Sequence, residues 1–127
     1  MTTQAHERQI QADRGAVLTR AVLRASDRLG MNARVLGAII GLSEPTISRM
    51  KRGDYVLEEG SKAFELAALL VRVFRSLDAI TGGDEAVARS WLNNPHAVLG
   101  GAPVERIRTI AGLTDVIAYL DARRAVL

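Results

Sequence analysis

The sequence predicts an all-α fold, and two observations lead to that prediction. Hydrophobic residues make up 48% of the 127 residues but aromatic residues only 4%, so the core must be built from Leu, Ile, Val and Ala. Apolar residues recur three and four positions apart in one segment after another, as on one face of a helix. No segment has the apolar and polar alternation of a half-buried strand.

The composition also excludes several classes of protein. The absence of cysteine excludes disulfide and thiol chemistry and agrees with a reducing compartment. The N-terminus lacks the apolar stretch of a signal peptide, and the longest apolar run, 66–71, is too short to span a membrane. Fifteen arginines and two lysines contribute to a net charge of +3, which permits nucleic-acid binding. We therefore expect a cytoplasmic protein with no membrane partner.

The N-terminal region divides into a tail and a helix. Residues 1–14 are polar and show no useful periodicity, so they are predicted to be a flexible tail. From Gly15, apolar residues at helical spacing predict a first helix that ends at Gly30. The apolar positions are Val17, Leu18, Ala21, Val22, Ala25 and Leu29.

Residues 32–53 have the pattern of a helix-turn-helix. Asn32 is the predicted cap of its first helix and Gly41 its end. Ser43 is the predicted cap of the second helix, which ends at Gly53. Two small residues, at positions 37 and 38, are expected to let the helices approach closely.

The second helix of this motif predicts a DNA-reading surface. Ile47 and Met50 are expected to face the protein body, which leaves Arg49 free to pair with guanine. Glu44 can accept a hydrogen bond from cytosine, but its carboxylate would otherwise oppose phosphates. A plain helical hairpin with a solvated face is the alternative. The predicted DNA-binding residues are Ser43, Glu44, Pro45, Thr46, Ser48, Arg49, Lys51 and Arg52.

A connector at 54–60 precedes a long, strongly apolar helix. Ser61 is its predicted cap, and it runs to about Ile80. So apolar a helix must be buried within the fold or in a partner interface, and self-association into a homodimer is the simpler expectation. Glycines 82 and 83 mark the predicted boundary between a lobe at 15–81 and a lobe at 82–127.

Three further helices are predicted in the C-terminal lobe. Asp84 begins the first, in which the spacing of Trp91 is typical of a core residue. Pro103 is expected at the first position of the second helix, which would include Ile110. The last helix is predicted to be capped by Thr114, after a break at a glycine.

Nothing in the sequence indicates catalysis, a metal site or a cofactor. His6 and His96 lack metal-ligand spacing. The paired glycines at 82–83 and 100–101 have neither a following lysine nor a preceding strand, as a phosphate loop would. We expect a protein that is not an enzyme.

Both halves resemble one family. The segment from Leu36 to Gly53, with its Ser43 and Ile47-Ser48-Arg49, resembles the Xre-type helix-turn-helix. Further residues resemble the C-terminal domain of the Xre/MbcA/ParS antitoxins: Ala88, Trp91, Leu92, Asn94, Pro95, Leu99, Gly100, Gly101, Pro103, Gly112 and Leu113. The two parts cover 15–127 and follow the family's order.

The resemblance implies an antitoxin of a type II toxin–antitoxin system. The partner would be a RES-domain toxin that consumes NAD or transfers ADP-ribose from it. The C-terminal lobe would block the toxin, and the helix-turn-helix would bind operator DNA as a homodimer and repress the operon. The predicted toxin-binding residues are Trp91, Asn94, Pro95, Arg123, Arg124 and Leu127.

Two alternatives stay open at this point. Arg123 and Arg124 either enter the toxin's NAD pocket or simply complement the dipole at a helix C-terminus. The whole chain is either a DNA-binding antitoxin or a protein-interaction module whose helix-turn-helix no longer reads DNA.

Overall fold

In the computed structural model, residues 2–125 are described, and they form seven helices without a strand. Their hydrophobic core continues through both halves of the chain. The helices are α1 (Thr3–Arg28), α2 (Ala33–Ile40), α3 (Glu44–Lys51), α4 (Lys62–Ile80), α5 (Glu85–Asn93), α6 (Pro103–Arg106) and α7 (Ile110–Arg124).

Helix α4 is the central element of the fold. As predicted, Ser61 caps it, accepting a hydrogen bond from the backbone N–H of Phe64 at 3.1 Å. It packs against α1 and α2 of the N-terminal half and against α5 and α7 of the C-terminal half. None of the described helices has the length and hydropathy needed to cross a membrane.

The first residues do not form an irregular tail. Helix α1 begins at Thr3, and Thr2 caps it by accepting from the Ala5 N–H at 3.3 Å. From Thr3 to Arg14 nearly every residue is exposed, which explains the missing apolar periodicity. An existing helix is extended at little cost by residues such as Gln, Ala, Glu and Arg, because the nucleation cost is met elsewhere.

The predicted helix start at Gly15 is therefore wrong. Gly15 is a buried position inside α1, where a Cβ atom would lie 2.2 Å from the Leu57 carbonyl oxygen. Next to it, the buried Thr19 hydroxyl donates to the Gly15 carbonyl at 2.7 Å and accepts from the Leu57 N–H at 2.9 Å. These contacts hold the connector against α1.

Helix α7 begins earlier than predicted. Thr109 is its cap and accepts from the Gly112 N–H at 3.0 Å, whereas Thr114 lies inside the helix and donates to the Ile110 carbonyl. Gly112 does not break the helix. A Cβ there would lie 1.8 Å from the Arg106 carbonyl oxygen, so glycine allows α6 to pack on α7. Ile110 thus belongs to α7.

Candidate functional sites

The turn between α2 and α3 depends on two glycines. Gly41 has a φ of 76° and donates its N–H to the Gly37 carbonyl at 2.8 Å. Gly37 is buried, and a Cβ there would lie 2.4 Å from the Leu42 carbonyl oxygen. Ala38 is exposed, so the expected close approach of the helices involves position 37 and not 38.

The orientation of α3 is fixed at its start and along its inner side. The Ser43 hydroxyl accepts from the Thr46 N–H at 3.2 Å and lies 2.8 Å from the Thr46 hydroxyl. Pro45 occupies the first turn, where no backbone donor is lost. Ile47 and Met50 are buried. The predicted cap and inward residues of α3 are confirmed.

The predicted DNA-binding residues occupy different sectors of α3. At about 100° per residue, four of them lie opposite the buried side: Pro45, Ser48, Arg49 and Arg52. Glu44 and Thr46 lie on the two flanks. Lys51 is exposed and also lies on a flank, where it lines a small cleft with residues of α1 and Met31. The outward face is thus centred on the two arginines.

Both arginines have neighbours that affect their availability. The Arg49 guanidinium lies over the Tyr55 ring, 5.5 Å from its centroid, which is a cation–π arrangement. Arg52 Nε lies 3.5 Å from Asp54 Oδ2, and both side chains are exposed. Tyr55 was not predicted as part of the site. The one sequence signal for it is an aromatic residue two positions after the helix-ending Gly53.

An aromatic cluster organises the C-terminal half. The rings of Trp91 and Tyr119 are stacked with centroids 6.2 Å apart, and His96 meets Tyr119 edge-on at 4.8 Å. His96 Nε2 also lies 3.2 Å from the Tyr119 hydroxyl oxygen. Trp91 is half-buried at the edge of the core. It was predicted as a core residue, but part of its ring remains open to a partner.

Beside this cluster lies a small, largely apolar cleft of about 180 Å³. It is formed by residues from α4, α5 and α7: Leu77, Ile80, Thr81, Val87, Trp91, Tyr119, Leu120 and Arg123. The structure thus brings together two of the predicted toxin-binding residues, Trp91 and Arg123. Val87 and Tyr119 also line it and were not predicted.

The other predicted toxin-binding residues lie outside this cleft. Asn94 donates its side-chain amide to the Ser90 carbonyl at 2.7 Å, and Pro95 is exposed beside it. Arg124 Nη1 donates to the buried Ser76 hydroxyl of α4 at 3.1 Å. Leu127 falls outside the described residues. Arg123 and Arg124 are therefore placed in different surroundings.

Known families match both halves of the chain. Residues 8–72 match the antitoxin Xre-like helix-turn-helix domain, and residues 76–125 match the antitoxin Xre/MbcA/ParS C-terminal toxin-binding domain. The chain belongs to the Xre/MbcA/ParS antitoxin family. It is an antitoxin with a helix-turn-helix and a toxin-binding domain, and these are not domains of a known enzyme family.

A solved structure has the same fold. The crystal structure of the M. tuberculosis MbcT-MbcA toxin-antitoxin complex contains a chain that is 23% identical in sequence, with a TM-score of 0.65. The alignment covers 84% of this chain and 92% of that chain. No curated protein matches significantly. The predicted all-α fold and the family resemblance are both confirmed.

Proposed function

We propose that this antitoxin acts in the cytoplasm on two partners. It binds and blocks a RES-domain toxin that consumes NAD or ADP-ribosylates a protein, and it represses its own operon as a homodimer on operator DNA. The observation that supports this most strongly is the separation of two sites on one core. The outward face of α3 and the cleft between α4, α5 and α7 share no residue.

The cleft is suited to a protein partner. Aromatic and arginine side chains are enriched at the centres of protein interfaces, and here Trp91, Tyr119 and Arg123 lie around one depression. An arginine at its edge can pair with a carboxylate of the toxin or with the phosphates of its substrate. The neighbouring MbcA structure was solved in complex with a toxin, which supports the same use of this fold.

The face of α3 is suited to the major groove. Arg49 can make a bidentate contact with guanine, while Ser48 and Arg52 can set the register on phosphates. In a two-fold symmetric dimer, two such helices would read half-sites about one helical turn apart. The carboxylates of Glu44 and Asp54 favour the alternative interaction module, because they oppose phosphate binding near the arginines.

The toxin part of the proposal is tested by co-expressing this chain with the product of the neighbouring gene, which the proposal expects to be a RES-domain toxin. We expect the two proteins to co-purify and the antitoxin to stop toxin-dependent loss of NAD or transfer of ADP-ribose. A toxin of another class, or one that keeps its activity in the complex, would contradict the proposal.

The DNA part is tested by titrating upstream DNA at several salt concentrations. We expect affinity to fall steeply with salt, and Arg49→Ala to weaken binding by about 1–3 kcal/mol. Arg108→Ala, in the C-terminal half, is the matched control and should bind like the parent. A flat salt response and an unaffected Arg49→Ala variant would favour the interaction module.

A further inference from the structure

An apolar groove runs between α1 and α4, on a side of the molecule that neither proposed site uses. Its volume is about 550 Å³. Its α1 wall includes Ile10, Arg14, Val17 and Ala21, and its α4 wall includes Phe64, Ala68, Val71 and Arg75. Both sets are spaced four, three and four residues apart. This is the spacing of helices that pack against partners along their length.

The groove exposes apolar side chains of the N-terminal half. Val17 exposes 58% of its surface and Ile10 exposes 39%. Two small side chains, Ala21 of α1 and Ala68 of α4, also line the groove. They would let another helix approach closely. Covering such a contiguous apolar face removes hydrophobic surface from water and is therefore favourable.

The charges around the groove lie at its two ends. Arg14 pairs with Glu59, just before α4, and Arg28 lies over Phe74 near the end of α4. Helices α1 and α4 therefore run in the same direction. Asp13 lies at the end that carries Arg14, one residue before it in α1. Arg75 lies towards the opposite end, in the last turns of α4.

Because of Asp13 and Arg75, the charges of this surface are complementary to those of the same surface on a second copy. Asp13 accepts a hydrogen bond from Gln9 at 3.1 Å, and neither residue forms an ion pair within the part of the chain described, 2–125. A two-fold rotation that reverses the helix direction places the acidic end of one copy on the basic end of the other. DNA is an unsuitable partner, because the surface is mostly apolar and the carboxylates of Asp13 and Glu59 would oppose phosphates.

We propose that this groove is the interface with a second copy of the chain, in which α1 and α4 of two protomers form a four-helix contact. Arg75 of each protomer then meets Asp13 of the other. This inference rests on the homodimer of the proposed function and names its surface. No residue of α2, α3, α5 or α7 lines the groove, so both proposed binding sites stay accessible in the dimer.

The first test measures the mass of the full-length chain in solution by sedimentation velocity. We expect a dimer at micromolar concentrations, and we expect Val17→Asp to be a monomer at the same concentrations. Because Val17 is exposed, the variant should keep the helix content of the parent in far-UV circular dichroism, although it loses the stability that association adds. Ile110→Asp is the matched control: it changes a similarly exposed apolar residue of α7 and should remain a dimer.

A monomeric parent, or a dimeric Val17→Asp variant, would overturn the proposal. A dimeric Val17→Asp variant would overturn this interface and leave the homodimer of the proposed function standing. A monomeric parent would overturn both, but toxin binding can still be measured separately on the same proteins. The monomeric variant should still bind the toxin through its C-terminal half. It should also lose the affinity gained by contacting two operator half-sites.

The second test establishes the arrangement by charge reversal. Each Asp13–Arg75 pair occurs twice in a two-fold dimer, so Arg75→Asp or Asp13→Arg should each raise the dissociation constant about tenfold. The double variant should return the constant to within about threefold of the parent. A double variant weaker than both single variants would exclude this pairing.

Discussion

The recognition helix α3 and the C-terminal cleft hold their side chains in different ways. In α3, the exposed residues lie within one two-turn helix, which is oriented by a serine cap and by two buried residues. The cleft takes Trp91 from α5, Arg123 from α7 and its apolar floor from α4. The local sequence thus positions α3, whereas the cleft exists only when distant segments have packed. We expect the two sites to fail through different changes.

The largest expected loss of stability comes from replacing a glycine by alanine where another backbone passes closest, at Gly37 in the helix-turn-helix and at Gly112 in the C-terminal half. Gly37→Ala would place a Cβ 2.4 Å from the Leu42 carbonyl oxygen, and Gly112→Ala would place one 1.8 Å from the Arg106 carbonyl oxygen. Each should lower the free energy of unfolding by about 3 kcal/mol, at the upper end for overpacking. Urea denaturation measures this loss.

The two variants should also separate the functions under conditions where both remain folded. Gly37→Ala should impair DNA binding more than toxin binding, and Gly112→Ala should do the reverse. The exposed neighbours provide matched controls, since Ala38→Gly and Ala111→Gly should each cost only about 1 kcal/mol. If Gly112→Ala were as stable as the parent, the close packing of α6 on α7 would be wrong.

The sequence predicts the elements whose signals are local. Asn32, Ser43 and Ser61 each cap the helix that follows, as their positions predicted. A cap acts on the N–H two or three residues ahead, so a short window of sequence contains both partners. The bounds of the helix-turn-helix therefore follow almost completely from its own residues.

Signals that depend on distant partners are misleading. Gly15 and Gly112 each look like helix boundaries, but both lie inside helices and are glycines because another backbone passes close by. Similarly, Thr114 was the predicted cap of α7, but Thr109, five residues earlier, is its cap. For the cleft, sequence reasoning identified Trp91 and Arg123 through the family resemblance but could not predict that Tyr119 lies between them.

An intermediate effect is expected from the two neighbouring arginines of α7. Arg123→Ala should raise the dissociation constant for the toxin about tenfold, or about 1.4 kcal/mol, because Arg123 lies at the cleft. Arg124→Ala should leave that constant nearly unchanged and lower the free energy of unfolding by about 1 kcal/mol, through loss of its hydrogen bond to Ser76. Isothermal titration and urea denaturation measure the two quantities.

If Arg124→Ala weakened toxin binding and Arg123→Ala did not, the toxin would bind on the side of α7 that carries Arg124. If neither substitution affected toxin binding, the arginines would only complement the helix dipole. Lysine substitutions at the same positions distinguish charge from geometry. Lysine preserves the dipole interaction but lacks the planar fork that pairs with carboxylates and phosphates.

A similarly small effect is expected at the contact between α1 of the N-terminal half and α5 of the C-terminal half. Arg89 of α5 donates from Nε to the Arg28 carbonyl at 2.8 Å and from Nη2 to the Asp27 carbonyl at 3.2 Å. These carbonyls belong to the last turn of α1, where helical partners are missing. Since Arg89 is half-exposed, Arg89→Ala should cost only about 1 kcal/mol.

The informative measurement on this variant is whether the halves still unfold together. Trp91 is the only tryptophan of the chain, so its fluorescence follows the C-terminal half, while far-UV circular dichroism follows all helices. Because one core extends over both faces of α4, the two urea transitions should coincide in the parent and in Arg89→Ala. Separate transitions in the variant would mean that Arg89, and not the core of α4, couples the DNA-binding region to the cleft.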